Sequence, residues 1–261
     1  MSSVRAAADA FRKLAKSRHS CRRFQPNRPL PKEMLNDMLQ TTLTSPSGFN
    51  IQPTNVIILQ NQDIKQELAK TSMLGAGNIY RTIDSSAVAV FLSDLQPHKR
   101  LQRIIELEKE SGVRSKDYLS TLPIVTSFLM GEGKVATLMK QVATDAMSPV
   151  KPMPTIDSIQ AWSYKNTALV AQTFTFAATS HGLSTCLMEG YDCRRVRDVL
   201  KIPDRYDIPL MCGVGYEYEE DEKVGKTPRL KMNEVFFSDT FGKPIDTDIT
   251  VVVEDTGDSP K

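Results

Sequence analysis

The chain has 261 residues, 40% of them hydrophobic and 25% charged, enough apolar material for one large or two small globular domains. Its formal net charge of +2 gives no general case for nucleic acid or membrane binding. The four cysteines form no Cys-x-x-Cys pair and the three histidines lie far apart, which argues against a zinc site and a disulfide scaffold. Reduced thiols in a reducing compartment, read as the cytoplasm, are the expectation.

From Ser2 to Arg18, residues Val4, Ala7, Ala8, Phe11, Leu14 and Ala15 form one apolar stripe, so a first helix is expected. The same segment is Arg-rich and acid-poor, as a mitochondrial presequence would be, and the helix is the favoured reading. Next comes Arg18-His19-Ser20-Cys21-Arg22-Arg23-Phe24, with three guanidiniums, an imidazole and a hydroxyl in seven residues. Guanidinium forks match phosphate oxygens in pairs, so this turn is a candidate phosphate seat. The alternative is a solvated basic turn that complements the dipole of the preceding helix.

After Pro29-Leu30-Pro31, the residues Met34, Leu35, Met38 and Leu39 recur at helical spacing. A loop over 45–53 opens into a strand over 55–60, followed by a polar helix from Asp63 to Ser72 and a buried strand over 87–92. The stretch 96–157 holds a charged helix from Pro97 to Gly112, a second helix after Gly133 and a Pro/Met-rich linker. These helices could form a lid, a dimer arm or packing decoration.

Between Asn166 and Ser180 there is no charge, and apolar or small residues occupy every helical face, as in a helix buried on all sides. A subunit interface buries such a helix more easily than a single chain. Gln172 and four threonines make it a poor membrane span. A strand over 183–188, a helix over 192–200, a strand over 209–216 and the run 235–237 complete an α+β pattern, with 249–253 a further strand or arm. No repeat or clear break appears. The expectation is one domain over 1–261, with a helical insertion at about 95–157 and a C-terminal extension at about 240–261.

In chain order the informative pieces are R-H-S-C-R at 18–22, P-S-G-F-N-I-Q-P at 46–53, N-I-Y-R at 78–81, W-S-Y-K-N at 162–166, E-G-Y-D at 189–192 and P-R at 228–229. Together they resemble the nitroreductase family of FMN-dependent oxidoreductases, over about residues 12–240 and most weakly between 95 and 157. The resemblance implies a three-layer fold with a central mixed, mainly antiparallel sheet flanked by helices. It also implies an intertwined homodimer with C-terminal arm exchange and FMN at the subunit interface.

By the same resemblance, Arg18, His19, Ser20 and Arg22 are the first FMN contacts, and Arg229 closes over the phosphate. Thr227 stands where the family often has a second basic residue. Asn78 and Arg81 address the pyrimidine edge of the ring, where a guanidinium stabilises negative charge. Met188, Glu189 and Gly190 complete this side, with backbone N–H groups toward the ring and a glycine that permits close approach. Leu187-Met188 replaces the family's usual proline. Pro46, Ser47 and Asn50 come from the second subunit, Asn166 also reaches across, and Phe49 with Gly48 faces the acceptor.

The activity implied is ping-pong hydride transfer from NADH or NADPH through FMN to a nitroaromatic or quinone, with no catalytic side chain and no metal. The partners implied are a second copy and a small-molecule acceptor, with no nucleic acid and no membrane. No G-x-G-x-x-G follows a strand, as befits a nicotinamide that needs no Rossmann site. Reductive dehalogenation, another metabolite-specific flavin reaction and non-catalytic flavin binding stay open. So do plainer roles: a simple turn at Ser47-Gly48, a cap at Asn78, core positions for Trp162 and Phe176, and a structural thiol at Cys21.

Overall fold

The computed structural model describes residues 2–130, 133–218 and 227–245. The run 249–253 lies outside them. The chain divides into two compact units, residues 1–219 and 220–261.

The first unit is built on four strands, β1 (Thr54–Leu59), β2 (Ala87–Asp94), β3 (Ser184–Met188) and β4 (Tyr206–Gly215), in the order β1-β2-β4-β3. All three pairings are antiparallel, and a parallel bridge from Ser20 to Thr185 makes the β3 edge mixed. The helices are α1 (Ser2–Ser17), α2 (Lys32–Leu43), α3 (Gln62–Thr71), α4 (Ala76–Asp84), α5 (Leu101–Ser111), α6 (Lys116–Leu129), α7 (Lys134–Met147), α8 (Ile159–Ser180) and α9 (Cys193–Leu200). The second unit contains the short α10 (Met232–Val235) and a bridge between Phe237 and Pro244. Among the described residues, no helix is long and apolar enough to cross a membrane.

Strand β2 explains the layering. Every residue of it is buried, and alternate side chains serve opposite faces. Val88, Val90 and Leu92 join a core with Leu68 of α3, Ile79 and Ile83 of α4 and Val196 of α9. Ala87, Ala89 and Phe91 join another with Met38 of α2 and Ala171, Phe174 and Ala178 of α8. Phe91 and Phe174 meet edge-on, with ring centroids 5.8 Å apart. The fold is therefore three layers, with α3, α4 and α9 on one side of the sheet and α2 and α8 on the other.

Local chemistry sets several helix ends. The side chains of Asn61, Ser158 and Asp192 accept from backbone N–H groups in the first turns of α3, α8 and α9. Helix α4 is closed from outside itself: the Lys65 ammonium, only 3% exposed, donates to the carbonyls of Ile83 (3.0 Å) and Ser85 (2.5 Å) at its C-terminus. Burial lowers the pKa of Lys65.

In the single chain, α8 is not covered on every side. Leu169 is 43% exposed, and Ala168 and Gln172 share its open flank. Near the end of β4 the backbones run so close that a Cβ on Gly215 would lie 2.8 Å from Ser86 N and 2.7 Å from Ser86 Oγ. Backbone cannot yield there as a side-chain tip can, so Gly215→Ala is expected to cost about 1–3 kcal/mol in urea unfolding.

Candidate functional site

After α1 the chain meets the sheet edge, where Cys21 N–H donates to Thr185 O (2.8 Å) and Tyr218 N–H donates to Arg23 O (2.9 Å). Phe24 is buried, with its ring against Gly213. These contacts fix the backbone of the basic turn and leave its cations outside. Among the described residues, the side chains of Arg18, Ser20 and Arg22 make no hydrogen bond or ion pair. Two guanidiniums and a hydroxyl thus offer unengaged donors beside one another in the chain, as an anion-binding segment requires.

His19 is engaged within the chain. Its Nδ1 lies 3.0 Å from Ser17 O, and its Nε2 lies 2.8 and 2.9 Å from the two oxygens of Glu217, which also accepts from Ser184 Oγ at 2.9 Å. A carbonyl and an ionised carboxylate only accept, so with both bonds made the ring carries two N–H groups and a positive charge. The bond to Ser17, then that to Glu217, raises the His19 pKa. Because the folded-state value is raised, this contribution to stability is complete below the unfolded pKa and fades as pH rises through the folded one. Glu217→Gln should move the His19 titration, followed by NMR, to lower pH.

Helix α4 and the end of β3 form the adjoining wall. Asn78 Nδ2 donates to Leu74 O (2.9 Å) and Gly190 O (3.2 Å), and Gly190 O also accepts from Leu74 N–H (2.8 Å). Arg81 Nε donates to Cys21 O (3.3 Å), and its Nη1 reaches Asn78 Oδ1 at 3.4 Å. A Cβ at Gly190 would lie 2.2 Å from Asn78 Nδ2. The basic turn, Asn78, Arg81 and Gly190 are therefore one connected cluster. Asn78 lies inside α4 and is not its cap. Glu189 is exposed and Met188 is buried in the core. Burial, then the Glu217 charge, pushes the Cys21 thiol up to about 12, as suits a structural thiol.

A second cluster is built on the loop before β1. Ser47 Oγ accepts from Gln52 N–H (2.9 Å), Gly48 N–H donates to Asn166 Oδ1 (2.8 Å), and Asn50 Nδ2 donates to the buried Glu108 (2.7 Å). Asn166 also donates from Nδ2 to Trp162 O at 2.7 Å, and a Cβ on Gly48 would come within 3.1 Å of the Trp162 ring. Phe49, Asn50 and Gln52 have φ values of 54°, 54° and 52°, left-handed backbone that non-glycine residues adopt at a cost. Pro46, Ser47, Phe49 and Asn50 line a groove of about 630 Å³ with Glu108, Arg114 and Tyr118.

No hydrogen bond among the described residues joins the two clusters. Asn78 and Arg81 belong to the helical layer on one side of the sheet, and Asn166 belongs to α8 on the other. Arg229, in the second unit, is exposed and donates to Pro228 O at 3.1 Å. Sequence reasoning did not find Glu217, Glu108 or Asp94. Asp94, fully buried at the end of β2, holds Arg205 and Arg100. Its one sequence signal is a carboxylate ending an otherwise uncharged buried strand. No group of three or more His, Cys, Asp or Glu among the described residues could hold a metal.

A three-layer α+β fold with a basic turn, an Asn–Arg pair and a glycine packed against that asparagine at one sheet edge defines a recognisable class. The model of the nitroreductase family matches residues 15–216, and the chain belongs to that family. MhqN of Bacillus subtilis, named as a proposed NAD(P)H nitroreductase, is 28% identical over 214 residues, 82% of this chain and 91% of that protein. The solved structure of ydfN, a proposed nitroreductase of Bacillus subtilis, has a TM-score of 0.67 at 26% identity, covering 88% of this chain and 99% of that one. A proposed nitroreductase of Exiguobacterium sibiricum, solved in complex with FMN, shares the fold at a TM-score of 0.66 and 20% identity, covering 87% of this chain and 95% of that one.

Proposed function

We propose that this protein is an FMN-dependent oxidoreductase that takes reducing equivalents from NADH or NADPH and passes them to nitroaromatic or quinone acceptors by a ping-pong cycle. The observation that carries it is the cluster in which Asn78 packs against the backbone of Gly190 and touches Arg81, next to the unengaged donors of Arg18, Ser20 and Arg22. Its donor set suits a phosphate at one end and the polar edge of a flat heterocycle at the other. FMN has that shape, and the family's FMN-bound relative supports the choice.

When bound, FMN supplies the hydride chemistry between nicotinamide and acceptor. Arg18, Arg22 and Ser20 hold the phosphate, and His19, with its ring nitrogens engaged by Ser17 and Glu217, braces the turn that carries them. Arg81 places a positive charge, and Asn78 an amide, at the pyrimidine edge. Gly190 and the backbone of Glu189 let the ring approach. No side chain of this chain needs to carry a proton, and the buried Cys21 thiol takes no part.

The protein acts as a homodimer in the cytoplasm. The two clusters of one chain lie in different layers, so the loop 46–50 serves the site of the partner subunit, with Asn166 holding that loop from α8. The open flank of α8 around Leu169 is the surface a second copy covers. Phe49, beside Gly48, shapes the acceptor pocket. The chain works as a single domain with a helical insertion, and the C-terminal arm exchange and phosphate contact of Arg229 implied by the resemblance belong to the same proposal.

Separated half-reactions test it. NADH or NADPH should bleach the flavin absorbance anaerobically, and a nitroaromatic or quinone added after removal of the nicotinamide should restore it. A yellow protein that neither nicotinamide bleaches would overturn the oxidoreductase assignment.

A further inference from the structure

Beside the loop groove lies a larger one of about 980 Å³ between α5 and α6, and Arg114 lines both. Its wall carries Lys109, Arg114 and Lys116 and, among the described residues, no carboxylate. Among the described residues, Lys109 and Lys116 make no hydrogen bond or ion pair. Arg114 stacks 5.0 Å from the centroid of the Tyr118 ring and lies 3.9 Å from Glu108, too long for a tight pair. Glu108 is turned toward Asn50 instead, at 2.7 Å.

The turn that presents these cations is shaped by Gly112, left-handed at φ 67°, and by Ser115, whose Oγ caps α6 by accepting from Tyr118 N–H at 3.2 Å. Three cations and the N-terminal end of α6 thus converge on one groove, with Ile105, Leu119 and Pro123 as its apolar wall. A surface face of mixed charge would leave acids among the lysines; the described residues of this lining include none.

We infer that this groove takes the adenosine 2′-phosphate of NADPH and makes the enzyme NADPH-selective. The inference rests on the proposed reductase function, in which the loop 46–50 serves the flavin site; the α5–α6 turn adjoins that loop through Arg114, which lines both grooves. The adenine lies on the apolar wall, and the phosphomonoester dianion meets Arg114, Lys109 and Lys116. NADH, with a hydroxyl in place of that phosphate, gains nothing from these cations. A charge-assisted contact to phosphate corresponds to roughly 10- to 100-fold in affinity.

The test uses the FMN-loaded dimer and the double variant Lys109→Ala/Lys116→Ala, both exposed positions. The wild type is expected to favour NADPH over NADH in kcat/KM by at least about 10-fold, with the variant ratio falling toward 1. Calorimetric titration gives a second readout independent of turnover: 2′,5′-ADP should bind the wild type about 10-fold or more tighter than 5′-AMP, and the variant should lose that difference. If both nicotinamides reduce the flavin equally well, or the ratio survives the double substitution, the NADPH site is overturned while the reductase stands. If neither nicotinamide reduces the flavin, the reductase itself fails, and equal binding of 2′,5′-ADP and 5′-AMP then removes the phosphate site as well.

Discussion

Asp94→Ala is expected to cost about 3–5 kcal/mol of stability, the loss typical of removing one partner of a buried ion pair. The Asp94 side chain has no exposed surface. Its oxygens accept from Arg205 Nε at 2.8 Å and Nη2 at 2.5 Å, from Arg100 Nε at 3.0 Å and from Gln96 N–H at 2.9 Å. Without the carboxylate, two largely buried guanidiniums lose their counter-charge. Burial works to raise the Asp94 pKa, but hydrogen bonds from Arg205, Gln96 and Arg100 outweigh it and hold the value below the ordinary one. A lowered folded-state pKa gives stability that is present above the unfolded value and lost as pH falls through the folded one. The gap between wild type and Asp94→Ala in urea unfolding should therefore be full at pH 7 and shrink below about pH 4. The residue also governs the loop before β1: Asp94 N–H donates to Pro53 O at 2.8 Å, its carbonyl accepts from Ser163 Oγ at 2.9 Å, and Arg100 donates to Gln52 O at 2.6 Å.

Gly190→Ala is expected to weaken FMN binding by roughly 10- to 100-fold while costing only about 1 kcal/mol of stability. The new methyl would stand 2.2 Å from Asn78 Nδ2, and its next neighbours, Asn78 Cγ and Leu74 O, are at 3.5 Å. The least costly response is for the Asn78 amide to swing away, giving up Leu74 O and Gly190 O and loosening its contact with Arg81. The fold tolerates that movement because Asn78 sits on an accessible wall of α4. The ring edge does not, since amide and guanidinium are both placed by these bonds. Flavin fluorescence titration beside denaturant unfolding separates the two effects. A variant that binds FMN as the wild type does would remove Gly190 from the site.

Much of the fold was legible where one residue type repeats on a buried face. The run Ala87–Leu92 and the uncharged stretch of α8 announced the sheet and the helix packed on it, and the sixfold motif order announced the family. Helix α4 was not legible. Only Ile79 and Ile83 mark its apolar face, while Gly77 and exposed Tyr80 break the pattern, and its end is held by Lys65 from another helix. Helix α6 carries Pro123 in its interior, which argues against a helix in any local reading. Strand β4 begins at Tyr206, three residues before the apolar run suggests, because Tyr206 and Asp207 pair with Asp94 and Ser93 beyond an irregularity in the register.

The candidate site divides the same way. Arg18–Arg22 stood out by residue type, and Asn78, Arg81 and Gly190 by the family resemblance, whereas their supports did not. Glu217 meets His19 from 198 residues away and Glu108 meets Asn50 from 58 away, distances at which no local pattern operates. Asn166 stood out for reaching a partner subunit, yet both its polar atoms are spent on its own chain, at Gly48 and Trp162.

The most direct test of the FMN cradle is equilibrium titration of the apoprotein with FMN and with riboflavin, which differ by the phosphate alone. Charge-assisted donors from Arg18, Ser20 and Arg22 predict FMN bound about 100-fold more tightly or better, with Arg18→Ala removing much of the difference and leaving the unfolding curve in place. Equal affinity for the two flavins would contradict a phosphate seat at residues 18–22.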